Sequence, residues 1–395
     1  MKDNWQKNTA LFLTSQTLSL FGTMLVQYAI MWHIVLRTQS GAMMMIYILM
    51  AILPTFFTSL LGGVWADIYN KKHLINLADG SIALISLAIA ISLSAGIDSI
   101  ALLMIAACVR ALGQGVQQPA VTSLIPFIVP KDKLLKINGL NSSLQSGIYL
   151  LSPLVSASLM SLAPLQIDVV TAAIAICMLY SLVKVPLTES ETEDKKKSSH
   201  FTDLMDGLKY LKDQKYLLLL VVLSGLYTIF MSPLLVLFPL QITRNFGADL
   251  WRLSAAEIGQ AAGMIVSGLL IGVWCFRNKI YAIGASSVVI GILTISLGFW
   301  TNFTPYLVCI VIFGLMWSYF STPSVTLIQE RVASDYLGRV LSVFTMLGSL
   351  AMPFGMLFFG PLADVINIDV IFIGTGVVMV FLGTIYFVSK TLREA

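Results

Sequence analysis

The sequence predicts an all-helical membrane protein with about twelve transmembrane helices in two pseudo-symmetric six-helix bundles. Hydrophobic residues make up 57% of the 395 residues and charged residues only 11%, whereas a soluble domain has about 25% charged residues. The apolar runs reach the roughly 20 residues that a helix needs to cross a bilayer. Strands of a membrane barrel are only about ten residues long and alternate in polarity, which excludes a barrel here.

Twelve apolar runs are long enough to be membrane spans. The predicted spans are 9–35, 42–66, 74–95, 99–127, 138–161, 167–184, 216–241, 257–276, 280–300, 305–328, 340–362 and 370–389. The first run is not followed by a small-residue cleavage site, so we interpret it as a span and not as a removable signal peptide.

The positions of Lys and Arg predict the orientation. With the N-terminus inside, only Arg37, Arg244 and Arg252 of the 24 Lys and Arg residues fall on the outer side, and Arg110 lies within a span. This asymmetry predicts an inner (cytoplasmic) membrane protein with both termini in the cytoplasm. The net charge of +4 therefore reflects the loops and does not indicate nucleic-acid binding.

A polar stretch divides the chain into two halves. Residues 187–214 contain acidic residues followed by three lysines and then an amphipathic segment at helical spacing. We expect a cytoplasmic linker there with a helix at the membrane interface. The predicted domains are thus a bundle over 1–186, the linker over 187–214 and a second bundle over 215–395.

The two halves share a weak internal repeat. Pro119-Ala-Val-Thr-Ser-Leu-Ile precedes Gly139 and Pro153, and Pro323-Ser-Val-Thr-Leu-Ile precedes Gly338 and Pro353. Transporters that work by alternating access are often built from such repeats, with the substrate near the midplane between them.

Polar side chains recur on single faces of several spans, at spacings of three, four and seven residues. A polar face avoids lipid, so it faces either a neighbouring helix or a wet cavity. Hydrogen bonding between helices remains an alternative for each residue. Aromatic and Met side chains give adaptable apolar contact to a ligand. The predicted cavity walls are Gln16, Gln27, Gln114, Gln117, Gln145, Tyr227, Met231, Trp317 and Tyr319.

Few ionisable residues lie within the spans, and such residues are usually functional. Arg110 is near the middle of its span and either acts in transport or braces the helix against backbone carbonyls. Asp79 either pairs with a cytoplasmic Lys or takes up a proton. Their depths differ, so we expect no direct contact between them. Asp364, at an outer helix end, is expected to be solvated.

The loop after the second span is the most specific local signal. Gly63 permits close helix approach, Asp67 can cap a neighbouring helix, and Lys71 and Lys72 hold the loop in the cytoplasm. Together with Asn70 these residues form a predicted gating loop.

This loop resembles the signature loop of the major facilitator superfamily, Gly-x-x-x-Asp-x-x-Gly-Arg/Lys-Arg/Lys. Asn70 replaces the second Gly. Asn tolerates left-handed backbone angles, so we expect the turn to be retained. Ile68 stands where the family has a basic residue, and part of the family's charge network is therefore missing.

Further segments resemble the same superfamily. Arg110-Ala-Leu-Gly113-Gln-Gly115 is similar to a helix-4 motif that the family links to proton coupling, which implies such a role for Arg110, with Asp79 as the second candidate. The segments 15–16, 28–32, 143–146, 152–153, 201–210 and 338–340 resemble the macrolide-efflux branch of drug–proton antiporters. The expected hinge or helix-packing residues are Gly113, Gly115, Pro119, Gly147, Pro153 and Pro353.

The resemblance implies a secondary transporter that exports bulky amphipathic drugs such as macrolides in exchange for protons. An exporter of siderophores or other amphipathic metabolites, an importer, a uniporter and a membrane sensor remain alternatives. Besides the substrate, the expected partners are protons and the lipid bilayer, with no nucleic acid, and the chain is expected to be a monomer.

No enzyme, cofactor or metal site is expected. No phosphate-cradling loop is present, so the proton gradient is the expected driving force. The four cysteines lie inside apolar runs without the spacing of metal ligands.

Overall fold

The computed structural model describes residues 5–130, 133–162, 200–273 and 278–393, and the regular elements within these ranges are all helices. The chain forms two compact units. Within the described residues, the first unit contains 5–34 and 46–162, and the second contains 35–45 and 200–393. The segment 35–45 is therefore grouped with the second unit although it joins the first two helices.

The helices of the first unit are long enough to cross a bilayer. They are α1 (Trp5–Thr38), α2 (Gly41–Ile68), α3 (Lys71–Ser94), α4 (Ile100–Ile128) and α5 (Leu134–Leu162). Only the joined ends of α1 and α2 belong to the second unit.

The second unit begins with a short helix and continues with long ones. Its helices are α6 (His200–Asp213), α7 (Lys215–Val236), α8 (Phe238–Phe246), α9 (Leu250–Val273), α10 (Lys279–Leu297), α11 (Phe303–Arg331), α12 (Ser334–Val365), α13 (Ile368–Val388) and α14 (Lys390–Arg393).

Eleven of the predicted spans coincide with helices, and the predicted span 167–184 lies outside the described residues. Ten stretches are both long and apolar enough to cross a membrane, with α7 and α8 forming one of them. The 29-residue α5 is not among these ten. Its many Ser, Asn and Gln residues lower its hydropathy, as the predicted polar face implies.

An Asn residue caps the start of equivalent helices in the two halves. Asn70 precedes α3, and its side chain accepts a hydrogen bond from the Lys72 backbone N–H at 3.0 Å. Asn278 precedes α10 and accepts from the Ile280 N–H at 3.0 Å. Each cap satisfies one of the N–H groups that a helix start leaves without an internal partner.

Glycine pairs let helices cross at backbone contact in both units. A Cβ atom on Gly62 of α2 would lie 2.7 Å from the carbonyl oxygen of Gly115 on α4. In the second unit, a Cβ on Gly263 of α9 would lie 2.8 Å from the backbone nitrogen of Leu315 on α11. Small residues at helix crossings are the usual means of packing helices in a membrane, and these two crossings occupy equivalent places in the predicted repeat.

The hydrophobic core of the first unit lies where α1, α3 and α4 meet the end of α2. Phe12, Ile75 and Ala120 are almost completely buried there. Thr9 adds a hydrogen bond from its hydroxyl to the carbonyl oxygen of Ile128, at 3.5 Å. This packing fixes α1, α3 and α4 side by side, and these three helices carry the candidate site.

The predicted amphipathic helix exists as α6 and packs against the start of α12. A Cβ on Gly207 would lie 2.8 Å from the carbonyl oxygen of Arg339, and the ring centroids of Tyr210 and Tyr336 are 4.8 Å apart. Leu211 is buried, whereas Met205 is exposed. One face of α6 therefore packs against α12, and the face that carries Met205 is exposed.

Candidate functional site within the first unit

Asp79 lies at the centre of a buried polar cluster formed by α1, α3 and α4. Its side chain is only 4% exposed. One carboxylate oxygen, Oδ1, accepts hydrogen bonds from Ser19 Oγ at 3.0 Å and from Gln117 Nε2 at 2.6 Å. Gln117 Nε2 is also 3.4 Å from Gln16 Oε1. The cluster therefore links all three helices through one carboxyl group.

Two polar atoms of this cluster are buried without a hydrogen-bond partner among the described residues. They are Asp79 Oδ2 and Gln16 Nε2. No Lys, Arg or His lies within ion-pair distance of Asp79, so the predicted pairing with a cytoplasmic Lys is absent from the described part of the chain. A buried carboxylate without a cation is costly in its charged form. A proton on Oδ2 would remove that charge while leaving both hydrogen bonds to Oδ1 in place.

Arg110 forms a second buried cluster between the same helices. Its side chain is on α4 and is 3% exposed. Nη1 donates to Ser86 Oγ on α3, and Nη2 donates to the Thr23 carbonyl oxygen on α1 at 3.0 Å. These contacts match the bracing role that was the alternative for Arg110. A guanidinium stays charged under all ordinary conditions, so Arg110 supplies a fixed positive charge and Asp79 the group that can change its charge.

The two clusters form separate layers along α3 and α4. Ser86 follows Asp79 by seven residues, and Gln117 follows Arg110 by seven residues. Seven residues make two helical turns, or about 10.5 Å at a rise of 1.5 Å per residue. Asp79 pairs with Gln117 in one layer, and Ser86 pairs with Arg110 in the other. The expected absence of a direct Asp79–Arg110 contact agrees with this layering.

The predicted gating loop adopts a different turn from the expected one. Asn70 has φ −62° and ψ 115°, which is extended backbone. The expectation that Asn70 replaces glycine through a left-handed conformation is therefore wrong, because Asn70 instead acts as the helix cap described above. Lys71 Nζ lies 4.8 Å from the ring centroid of Phe127 on α4. Gly63 is half-buried, and the side chain of Asp67 lies outside the described residues.

The predicted cavity residues of the first unit divide into two groups. Gln16 and Gln117 belong to the Asp79 cluster. Gln27, Gln114 and Gln145 are half-buried, and the backbone oxygen of Gln27 accepts a hydrogen bond from the Tyr47 hydroxyl at 3.1 Å. A cavity role for these residues stays a prediction.

In the second unit, two of the predicted cavity residues are packing residues. Tyr227 and Met231 are 0% exposed. The Tyr227 hydroxyl donates to the Ser287 carbonyl oxygen at 2.9 Å, and its ring lies 4.8 Å from that of Phe320. A wall residue needs open surface, and neither side chain has any in this structure. Trp317 is half-buried and Tyr319 is 8% exposed.

The predicted hinge and packing residues also differ in their surroundings. Gly115 contacts the backbone of α2, and a Cβ on Gly113 would meet the side chain of Ile82 on α3 at 2.8 Å. A Cβ on Gly147 would meet nothing within 4 Å among the described residues. Pro119, Pro153 and Pro353 all lie inside helices.

Sequence reasoning missed two parts of the polar architecture. Ser86 was overlooked because a single Ser in an apolar helix usually bonds to its own backbone, and this one also does so, donating to the Ile82 oxygen at 2.7 Å. Asp364 was expected to be solvated, and it is exposed, but the hydrogen bonds that it accepts were not expected. It accepts hydrogen bonds from Ser40 and from the backbone N–H groups of Gly41 and Ala42.

Among the described residues, no group of three or more His, Cys, Asp or Glu side chains could hold a metal ion. The hydrogen bonds of Asp79 and Arg110 form a polar arrangement inside a helical bundle, built around one carboxyl group and one guanidinium. Ionisable groups in this setting are found along the ion and substrate pathways of membrane proteins.

Helices long and apolar enough to cross a membrane, glycine crossings in both units and buried ionisable groups are together typical of a membrane transporter. The comparison with known families agrees. A family model described as the Major Facilitator Superfamily matches residues 9–356. That range covers most of the chain, and the chain belongs to the Major Facilitator Superfamily. The predicted superfamily is confirmed, as is the expectation of a transporter and not an enzyme.

Relatives in bacteria include named drug exporters. Macrolide efflux protein A of Streptococcus pyogenes is 30% identical over 399 residues, covering 99% of this chain and 98% of that protein. Macrolide efflux protein A of Enterococcus faecalis is 32% identical over 301 residues, covering 74% of this chain and 93% of that protein. These matches confirm the resemblance to the macrolide-efflux branch.

Solved structures of transporters share the fold. The nucleoside transporter NupG has a TM-score of 0.75 at 10% identity, covering 98% of this chain and 99% of that chain. A bacterial homolog of the human lysosomal transporter Spinster has a TM-score of 0.74 at 14% identity, covering 100% of this chain and 98% of that chain. At these identities the likeness shows the fold alone, and the predicted fold class is confirmed.

Proposed function

We propose that this chain exports bulky amphipathic drugs such as macrolides by alternating access, in exchange for protons. The observation that carries the proton-coupled part is Asp79, an ionisable group inside the bundle. Among the described residues it has no cationic partner, and one of its carboxylate oxygens has no hydrogen-bond partner. Its neighbours Ser19 and Gln117 come from two other helices, so a change in its charge acts on α1, α3 and α4 together.

The proposed proton step follows from the hydrogen bonds of Asp79. In the charged form, Oδ1 accepts from Ser19 and Gln117 while Oδ2 carries charge that nothing in the described chain neutralises. Protonation at Oδ2 relieves this cost and turns that oxygen into a donor. Loss of the proton restores the charge, which favours access to water. Alternation between these two forms supplies the difference in energy that an antiporter needs between its two states.

The substrate class is supported by the two macrolide efflux proteins, which match this chain over most of its length. The Multidrug efflux pump Tap of Mycobacterium tuberculosis is a more distant relative, 22% identical over 380 residues and covering 92% of this chain. An exporter of a siderophore or another amphipathic metabolite is the alternative for the substrate, and an importer or uniporter is the alternative for the direction and coupling.

The proposed setting follows from the loops. Both termini lie in the cytoplasm and the chain resides in the cytoplasmic membrane, because Lys and Arg collect in the loops on one side. The proton gradient is the driving force, no bound cofactor takes part, and the chain acts as a monomer.

Drug accumulation in cells that express the chain tests this proposal. The panel contains a macrolide, ethidium and a lipophilic siderophore, each measured with and without a protonophore. We expect lower macrolide accumulation that returns to the level of control cells when the protonophore is added. Lower accumulation that persists with the protonophore would contradict proton coupling, and an effect on the siderophore alone would identify the alternative substrate. Higher accumulation of any compound would indicate import.

A pair of matched variants assigns the coupling to its residue. Asp79→Asn keeps the size of the side chain and removes its charge change, so efflux is expected to fall at least tenfold. Asp98→Asn removes a carboxylate that is 38% exposed and pairs with His33 at 3.1 Å, so efflux should be unchanged. Equal efflux by the two variants would show that Asp79 does not carry the proton.

A further inference from the structure

Within the second unit, α6 runs antiparallel along the beginning of α12. A Cβ on Gly207 would lie 3.1 Å from Val343 Cγ2. Further along α6, the ring of Tyr210 stacks on that of Tyr336, with the centroids 4.8 Å apart. The Tyr210 hydroxyl also accepts a hydrogen bond from the Ala333 backbone N–H at 3.4 Å. The contacts therefore move towards the start of α12 as α6 advances.

This direction gives the residues of α6 different depths relative to the membrane. The part of α12 that is long and apolar enough to cross a membrane is Tyr336–Val365. Because Tyr210 is level with Tyr336, residues before Tyr210 lie beside this apolar stretch and residues after it extend beyond. Met205 and Lys212 are seven residues apart, or about 10.5 Å along a helix axis. The headgroup region on each side of a bilayer is about 5–8 Å thick, so α6 is long enough to reach from the acyl chains to the headgroups.

The exposed face of α6 changes from apolar to basic in the same direction. It consists of Met205, Leu208, Lys209 and Lys212, whose spacing of three, four and seven residues places them on one side of a helix. Met205 and Leu208 are 51% and 43% exposed, and both lysines are exposed as well. Leu211, on the opposite face, is buried. The order of apolar and then basic side chains matches the acyl chain and the headgroup of a phospholipid.

The charge of this face favours an anionic headgroup. Asp206 lies 3.5 Å from Arg339 Nη1, so its negative charge is already offset. Neither Lys209 nor Lys212 has an ion-pair partner among the described residues. Asp213, at the end of the helix, is the other acid among the described side chains of α6. Basic residues beside a membrane attract anionic lipids, by about a factor of five in affinity for each residue.

We propose that the exposed face of α6 binds an anionic phospholipid, whose acyl chain lies against Met205 and Leu208 and whose phosphate lies between Lys209 and Lys212. A soluble acidic protein would use the two lysines but would leave the two apolar side chains without a role. A bilayer provides for both pairs at the depths at which they lie. This surface is separate from the polar clusters of the first unit, and it does not depend on the direction of transport or on its coupling.

Binding of a fluorescent phosphatidylglycerol to the purified protein in uncharged detergent tests the role of the lysines. The combined substitution Lys209→Gln and Lys212→Gln is expected to weaken binding about 25-fold, since each lysine contributes about a factor of five. The matched control is Lys136→Gln combined with Lys390→Gln, which removes two exposed lysines elsewhere in the chain and should weaken binding less than twofold. Equal binding by the two double variants would overturn the proposal.

The apolar half of the face separates a lipid from a free phosphate. Met205→Gln combined with Leu208→Gln should weaken phosphatidylglycerol binding at least fivefold, because the acyl chain loses its apolar contacts. Glycerol phosphate, which has no acyl chains, should not displace the lipid at a hundredfold excess. Unchanged binding by this variant together with displacement by glycerol phosphate would show a simple phosphate site and would contradict the binding of a lipid.

Fluorescence quenching tests the depths of the two ends of α6. Met205→Cys and Lys212→Cys are each labelled with a bimane maleimide and placed in nanodiscs that contain phosphatidylglycerol with brominated acyl chains. The unsubstituted chain is the blank for its native cysteines. We expect the bromine atoms to quench the label at position 205 at least three times more strongly than the label at position 212. Equal quenching would contradict the depth order, and no quenching at either position would show that the face lies away from the bilayer.

Discussion

Replacing Gly115 with alanine is expected to destabilise the first unit, because the added methyl group has no space between α4 and α2. A Cβ at this position would lie 2.6 Å from the Thr55 carbonyl oxygen and 3.0 Å from the Ser59 backbone nitrogen, and it would overlap the Thr58 hydroxyl. Two of these three neighbours are backbone atoms, which cannot turn away as a side chain can.

The size of the effect follows from these distances. Ordinary contact with a Cβ begins at 3.4 Å, so α2 and α4 would have to separate locally by about 0.8 Å, the difference between 3.4 Å and 2.6 Å. Overpacking of this kind costs about 1–3 kcal/mol. The higher helix propensity of alanine returns about 1 kcal/mol, which leaves a net loss of up to about 2 kcal/mol.

Gly147 provides a matched control in the same unit. A Cβ there meets nothing within 4 Å among the described residues, so Gly147→Ala should gain about 0.5–1 kcal/mol of helix stability. Thermal unfolding of the purified protein in detergent compares the two variants, and we expect a lower midpoint for Gly115→Ala and an equal or higher midpoint for Gly147→Ala. The close crossing of α2 and α4 would be refuted if both variants unfolded at the same temperature.

Three further substitutions test individual contacts. Arg110→Ala should keep membrane expression and lose gradient-driven efflux. Its free energy of unfolding should fall by about 3 kcal/mol, because two charge-assisted hydrogen bonds of about 1.5 kcal/mol each are lost. Normal efflux by this variant would exclude a role of Arg110 in coupling. Tyr227→Phe loses one buried hydrogen bond to Ser287, so it should lower the free energy of unfolding by about 1 kcal/mol without changing drug binding. Weaker drug binding in a direct titration would show that Tyr227 does line the substrate cavity. Asn70→Ala should lower the free energy of unfolding by about 1 kcal/mol because it removes the cap on the Lys72 N–H, while Asn70→Gly should lower it by only a few tenths of a kcal/mol. An equal loss of stability in both variants, measured by thermal unfolding, would contradict the capping role.

The fold was predictable because only a few kinds of secondary structure can cross a lipid bilayer. Backbone groups inside a bilayer must find partners within their own helix, so an apolar run of sufficient length predicts its own structure. The starts of α3 and α10 were less predictable. The sequence suggests that Asn70 replaces glycine because Asn tolerates left-handed backbone angles. In the structure, its side-chain oxygen instead caps the start of α3.

The candidate site was predictable only as a set of residue types. Polar groups inside a bilayer carry a high free-energy cost, so the sequence draws attention to Asp79, Arg110 and Gln117. It does not reveal which of them pair. Antiparallel packing of α3 and α4 decides that Asp79 meets Gln117 and that Arg110 meets Ser86. The hydrogen bond between Ser40 and Asp364 was not predictable, since the two residues are 324 positions apart and both resemble ordinary residues at helix ends.

Proton movement driven by the drug tests the central claim most directly. The purified chain is placed in liposomes that contain a pH-sensitive dye, and a macrolide is added without any imposed gradient. We expect the unsubstituted chain and Asp98→Asn to move protons against the direction of the drug, and Asp79→Asn to move them at least ten times more slowly while still binding the drug. Proton movement by Asp79→Asn at the rate of the unsubstituted chain would contradict the account, because the coupling would then depend on another group.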